Sequence, residues 1–334
     1  MSKKQQFTLC TFTNSKYTHN TSYHCNYSMP HLSFFWLEAN NHHHIRAIQS
    51  DLCHSIKRAA RYNRLTLPSI PDTLLTLNRL CEDPETTVHD VANLLIDDPV
   101  LTANIIRAAN SAIFNRRNII CHDILTAVSR LGIIRIRDII TAQTIYSLKN
   151  TTIENIECNQ LLKNSAFHSR QFAATMALIC QKMHIYSNKP LKLEPEKALL
   201  TGLLADIGLF GLINEYSHFI EQGNYLDFNI AKYIFQENCA LASKIVLSQW
   251  GFDSDYIAVA TNPITTNHDS DISYLTIARM THHFLLFKTN NAAAMNEHEV
   301  ELDLAGAEVM YELTNMSELE FNNQLKQITH SYGI

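Results

Sequence analysis

Two ionisable side chains fall where apolar ones are expected. Leu161, Ser165, His168, Phe172, Met176, Ile179 and Met183 recur at spacings of three and four, so His168 lies on the apolar face of a helix. Asp206 lies among Leu203, Leu204 and Ile207 in a stretch that reads as one helix from Glu194-Pro195 through Leu199, Leu203 and Phe210. A buried imidazole or carboxylate must find a hydrogen-bond partner. The reading favoured for His168 is a core histidine bonded to a neighbour, with Asp206 the candidate; Asp206 is then satisfied by that histidine or by backbone donors. The competing reading is a divalent-metal site, for which imidazole and carboxylate are suitable donors. The eight cysteines are scattered with no Cys-x-x-Cys pair, which argues against a zinc ribbon or disulfide framework and for reduced thiols. His42, His43 and His44 are consecutive, cannot face one site on a helix, and read as surface.

The basic residues suggest other chemistry. Lys57, Arg58 and Arg61 flank an amphipathic helix, and Arg107, Arg116, Arg117, Arg130, Arg135 and Arg137 follow within one region. Residues 87–106 resemble a helix-turn-helix, and such basic density is what phosphate contact needs. Against DNA binding, Ile105, Ile106 and Ala109 leave the supposed recognition helix apolar, and Asp97 and Asp98 would face the phosphates. The arginines suit an acidic partner or a nucleotide better. A net charge of -5 gives no overall attraction for nucleic acid or an anionic membrane.

The elements that must position these groups are helices. Eight Gly and eight Pro in 334 residues are too few for a turn-rich sheet protein. Ile45, Ile48, Leu52, Ile56 and Ala59 form one helical face; Pro71, the Thr87/Asp90 capping-box spacing, Asp98-Pro99, and Asp123 with Gly132 mark the starts and stops of short helices up to Leu148. Later helices are expected at about 227–237, 239–250, 253–261 and 271–287, with Asp253 and Asp271 as N-caps, and Ser317 with Glu320 opens the last. Residues 1–40 show no helical period and read as a loosely ordered leader, although Phe34, Phe35, Trp36 and Leu37 form an apolar patch able to dock. No apolar run reaches the roughly 18–20 residues that span a bilayer, and no secretory signal is evident, so a cytoplasmic protein is expected.

In order and spacing, residues 65–265 resemble an HDOD domain, the HD-related output domain of bacterial signalling proteins. The resemblance rests on Leu67-Pro68 with Pro71, Asp98-Pro99-Val100-Leu101-Thr102, Ala109-Asn110-Ser111, Ala127 to Leu131-Gly132, His168-Ser169, Gly202-Leu203-Leu204-Ala205-Asp206-Ile207-Gly208 and Trp250-Gly251-Phe252. It implies an all-α, two-lobed helical bundle of HD type. Active HD phosphohydrolases hold a divalent metal with a His, a His-Asp doublet and a later Asp. Here His168 matches the first ligand and Asp206 the doublet's Asp, but the doublet's His is Ala205. Cys239 stands where the HDOD pattern often has a His, Thr261-Asn262-Pro263 replaces a His-His, and Met280-Thr281-His282 occupies the region of the last Asp.

The resemblance therefore implies a relic site at His168, Ala205, Asp206, Cys239 and Asn262, with no catalytic residue, bound metal or cofactor. The expected function is a non-catalytic signal-transduction module docking a protein partner through Lys57, Arg58, Arg61, Arg116, Arg117, Arg135 and Arg137; nucleotide binding and dimerisation stay open. The alternatives are a metal-dependent phosphohydrolase and, behind it, a DNA-binding regulator using residues 87–117. The expected organisation is residues 1–62 as an extension with one amphipathic helix from about 41, 63–290 as the HDOD domain with lobes at about 65–150 and 151–290, and 291–334 as an acidic helical tail. No receiver, GGDEF-like, EAL-like or kinase motif is evident, so input and output are expected from another protein or from residues 1–62.

Overall fold

The computed structural model describes residues 31–37, 50–62, 64–65, 72–111, 114–115, 118–151, 153–188, 190–263, 272–289 and 302–334. The described elements are a 3-10 turn (Leu32–Phe34) and helices α1 (Asp51–Arg61), α2 (Asp72–Glu82), α3 (Val88–Ile96), α4 (Pro99–Ala109), α5 (Ile124–Leu131), α6 (Ile133–Lys149) and α7 (Ile156–Tyr186). They continue with α8 (Pro195–Leu204), α9 (Leu209–Glu221), α10 (Phe228–Gln249), α11 (Ser254–Thr261), α12 (Tyr274–Lys288), α13 (Leu304–Asn315) and α14 (Glu318–Ser331). No strand occurs among the described residues.

Most boundaries follow from local chemistry. Thr87 and Asp90 close a reciprocal capping box at the start of α3. Asp98 accepts from the Val100 and Leu101 amides ahead of Pro99, and Asp123 accepts from Thr126 N. Gly132 supplies φ +81° between α5 and α6. Three expectations need correction. The helix opened by Pro195 stops at Leu204; residues 205–208 form a turn before α9, so Asp206 is not mid-helix. That interruption also breaks Pro195–Glu221, a stretch otherwise long and apolar enough to cross a membrane, and most of it is buried inside the fold. Helices expected at 227–237 and 239–250 are the single α10, and α12 is capped by Ser273, Asp271 lying outside the described residues.

Two apolar cores result, and they do not divide at residue 150. The larger joins α2–α6 to the C-terminal half of α7, α8, α11 and α12, and takes in Val309, Leu313, Phe321, Leu325 and Ile328 of the tail helices. The smaller packs α1 against the start of α7, α9 and α10. Helix α7 thus serves both. It approaches α8 closely because Ala173 and Met176 face Gly202, where an added Cβ would lie 2.7 Å from Ala173 Cα and 2.8 Å from Met176 Sδ. The acidic tail is part of the fold: Lys182 Nζ lies 2.5 Å from Glu312, and Gln143 Nε2 donates to Tyr332 O at 2.9 Å.

The leader expectation also fails where it can be checked. Residues 1–30 and 38–49 lie outside the described residues, but His31 through Phe35 are buried, with Ser33 fully so. Leu32 and Phe35 enter the larger core, Phe34 enters the smaller, and Trp36 packs against both. This burial explains the aromatic run: four large side chains removed from water stabilise a short segment that has almost no backbone pairing of its own.

Candidate functional site

The α8–α9 turn places Asp206 just past the C-terminus of α8, and its carboxylate is 1% exposed. Its counter-charge is Lys149, the last residue of α6, whose ammonium is equally buried. Lys149 Nζ donates to Asp206 Oδ1, to Ser169 Oγ at 2.8 Å and to Leu203 O at 3.2 Å, using all three of its donors. Ser165 Oγ donates to Asp206 Oδ2 at 2.6 Å. The ammonium therefore sits at the carbonyl end of α8, where the helix dipole favours positive charge. Ser165 and Ser169, one turn apart on α7, line this polar pocket within an otherwise apolar face.

His31 reaches the same turn. Its Nε2 lies 3.0 Å from Ala205 O and its Nδ1 lies 2.9 Å from Ser33 Oγ. A carbonyl only accepts, so Nε2 carries the hydrogen and Nδ1 accepts from the serine hydroxyl. Burial pushes the imidazole down to about 4, against a raising influence of Asp206 and of the Ala205 carbonyl; Lys149 lowers it further. His31 is thus neutral. His282 of α12 donates from Nδ1 to Leu32 O at 2.6 Å, fixing the next residue of the segment.

His168 does not partner Asp206, contrary to the reading of an internal His–Asp pair. The carboxylate's bonds go to Lys149 and Ser165, and the His168 ring stacks on Trp36 at a centroid distance of 4.8 Å and 12°. Phe35 and Phe167 meet the same ring edge-on, and burial lowers its basicity. Of the other relic positions, Ala205 offers only its carbonyl. Cys239 is buried beside Ser243, and desolvation raises its thiol, with Asp206 adding to the effect. Asn262 is the left-handed C-cap of α11 and accepts from Arg279 Nε at 2.9 Å. The structure brings Ala205, Asp206 and Cys239 together and sends His168 and Asn262 to other tasks.

An HD-type divalent metal would have to be held by these same groups, and they do not fit one. Both oxygens of Asp206 are engaged, an ammonium occupies its inner face, and Ala205 supplies no side-chain donor. Among the described residues no group of three or more His, Cys, Asp or Glu is placed to ligate a metal.

The basic residues separate into two kinds. Lys57, Arg58 and Arg61 are exposed along α1. Arg116 and Arg117 lie outside the described residues. Arg135 is half-exposed, 3.6 Å from Glu196 of α8, with its guanidinium 6.0 Å from the Phe114 ring centroid. Arg137 gives two hydrogen bonds to Asp138, which is 4% exposed and whose carboxyl is pushed up by burial. These two arginines of α6 are tied into the fold, and Arg130 is likewise committed, donating to Ala109 O and Ile119 O. In the helix-turn-helix-like stretch, Ile105, Ala108 and Ala109 of α4 are buried and Thr102 Oγ1 donates to Leu95 O.

The HDOD domain pattern matches residues 67–264, more than half of the chain. The chain belongs to the HDOD domain family. Among solved structures it is similar to a proposed metal-dependent phosphohydrolase from Shewanella amazonensis, with 19% identity, TM-score 0.65, and coverage of 84% of this chain and 98% of that one. It is also similar to an HDOD domain protein of unknown function from Geobacter sulfurreducens, at 18% identity and TM-score 0.45, covering 84% and 93%. At such identities the first likeness establishes the helical HD-type fold alone. An uncharacterized protein of Treponema pallidum is 27% identical over 113 residues, 33% of this chain and 21% of that protein, so the HDOD chain spans about a fifth of the curated relative it matches.

Sequence reasoning missed Lys149 and His31. A lysine closing a helix reads as a solvated C-terminal charge, and a histidine in an aperiodic leader has no face to be assigned to. One signal was present: Ser165 and Ser169 are two hydroxyls one turn apart on a buried face, which a buried carboxylate and a cation together would need.

Proposed function

We propose that this HDOD protein is a non-catalytic signal-transduction module of the cytoplasm that acts by docking a partner protein. The observation that carries the reading is the buried Lys149–Asp206 pair. The one acidic side chain retained at the doublet position is neutralised by an internal ammonium, with Ser165 on its second oxygen, so it is not poised to hold a metal or activate water. The exposed basic stripe Lys57, Arg58 and Arg61 on α1 supports an acidic partner surface, since single-sign patches steer association.

The test is a hydrolysis assay with cyclic dinucleotides, (p)ppGpp and simple phosphate esters in the presence of Mn, Mg, Fe or Ni, run beside metal analysis of the purified chain. The expected result is no turnover and far less than one equivalent of metal. Turnover that disappears in His168→Ala or Asp206→Ala would replace this reading with the phosphohydrolase one.

A further inference from the structure

The segment His31–Leu37 is held in a different way from the rest of the fold. Its own backbone supplies two bonds, Phe34 N to His31 O at 3.1 Å and Leu37 N to Phe34 O at 3.0 Å. Among the described residues its attachment to the body is by inserted side chains and by polar contacts of His31 with Ala205 O and of Leu32 O with His282. Phe35 packs against Phe172 at 6.5 Å and Trp36 lies on His168. Aromatic anchors in pockets with a few direction-setting polar contacts are how a peptide ligand binds. The fit is incomplete at one end. Among the described residues Trp36 Nε1 and His168 Nδ1 are buried without hydrogen-bond partners, although their rings stack. A competitor that supplied those partners would recover what this arrangement forfeits.

We propose that the cleft between α7, α12 and the α8–α9 turn is a peptide-docking site whose resident in cis is His31–Leu37, and that the partner protein presents a segment of like chemistry that displaces it. The inference rests on the docking reading above and specifies its site. The partner segment has a donor for Ala205 O, a carbonyl for His282 Nδ1 and two or three aromatic side chains for the pockets now filled by Phe34, Phe35 and Trp36. Displacement seats the partner over the Lys149–Asp206 pair and frees the aromatic segment at the same time, so docking and release of the N-terminal segment are one event.

The experiment uses the full chain and a fluorescein-labelled peptide covering residues 29–38, Met-Pro-His-Leu-Ser-Phe-Phe-Trp-Leu-Glu. Anisotropy is measured with the wild-type protein and with Phe35→Ala/Trp36→Ala, which weakens the cis resident. The expected outcome is binding to the variant at least tenfold tighter than to wild type, abolished when both phenylalanines of the peptide are alanine. No peptide binding to a folded variant overturns the proposal. Should that variant not fold, hydrogen exchange on the wild type and on His31→Ala decides: the amides of residues 31–37 should exchange at least a hundredfold faster than those of buried α7, and faster still in His31→Ala. Exchange as slow as α7 in both proteins makes the segment ordinary core and also overturns it. Hydrolysis of phosphate esters by a variant that still binds the peptide would leave the docking site standing and remove the non-catalytic reading; absence of both activity and binding would do the reverse.

Discussion

Replacing Lys149 by Met should be among the most damaging single changes in this protein. The side chain is 1% exposed, and Met keeps most of its volume while deleting the ammonium. The deletion leaves Asp206 with one hydrogen bond, from Ser165, and strips Ser169 Oγ and Leu203 O of a donor. Removing one partner of a buried ion pair costs about 3–5 kcal/mol, chiefly for the uncompensated charge left behind. The double variant Lys149→Met/Asp206→Asn removes that charge and keeps an acceptor for Ser165, so it should recover most of the loss and lie within about 2 kcal/mol of wild type. Equilibrium urea unfolding followed by far-UV circular dichroism gives the three differences, with an unchanged m-value as the check that the unfolding reaction is the same. With Asp206→Asn alone also costing about 3–5 kcal/mol for the ammonium left unpaired, the coupling between the two positions should be at least about 4 kcal/mol. A loss below about 1 kcal/mol for Lys149→Met, or losses that simply add in the double variant, would refute the buried pair as the organising feature of the site.

Acid should release the N-terminal segment. His31 is held at about 4 in the folded protein against an ordinary 6.5, so between those values the unfolded or undocked form binds a proton that the docked form does not. Docking therefore weakens as pH falls from 6.5 to 4, by about 3 kcal/mol in all; Trp36 emission in a Trp250→Phe background should report it, and His31→Gln should flatten the profile. Gly208→Ala would place a Cβ 2.3 Å from Ser243 N and 2.6 Å from Ala242 C, and should cost about 3 kcal/mol in thermal unfolding. Gly223→Ala meets nothing within 4 Å and carries only the strain of φ +83°, about 1 kcal/mol. Arg137→Ala should cost about 1–3 kcal/mol because Asp138 stays buried without its partner, the full cost being moderated by the partial exposure of the guanidinium. Lys57→Glu/Arg61→Glu should change stability by no more than about 0.5 kcal/mol per site while reducing partner capture and its dependence on salt.

The helices were legible because their ends are written in short-range chemistry. Thr87/Asp90, Asp98-Pro99 and Asp123 each act on amides within two or three residues, and Gly132, at φ +81°, donates its own N–H to Val128 O four residues back. The break at 205–208 was not legible. Leu-Leu-Ala-Asp-Ile-Gly-Leu has the composition of a continuing helix, and the turn is imposed from outside, where Gly208 lies against Ala242 and its amide donates to Ser243 Oγ at 2.9 Å. The site was half legible for the same reason. Asp206 announced itself as an acid among apolar neighbours, but its counter-charge is 57 positions away, and the His31 that bonds the adjoining Ala205 carbonyl is 174 positions from that residue. Pairings of that range leave no periodicity to read, and they depend on which helices the topology brings together. His168 misled because its apolar face is real but its stacking partner, Trp36, comes from a segment with no repeat at all.

The side chains of His31–Leu37 reach two different cores, and the order of synthesis gives this a temporal meaning. The segment leaves the ribosome before the helices that hold it: Leu32 O waits for His282, 250 positions later, and His31 for Ala205. At about 5–20 residues per second the wait for α12 is about 12–50 s. For that interval a run of Phe, Phe and Trp stands without its pockets, while α1 can already gather helices of the smaller core as they emerge. Residues 31–37 are thus made before the helices that hold them and placed after them, and their docking joins two cores that could otherwise form one after the other.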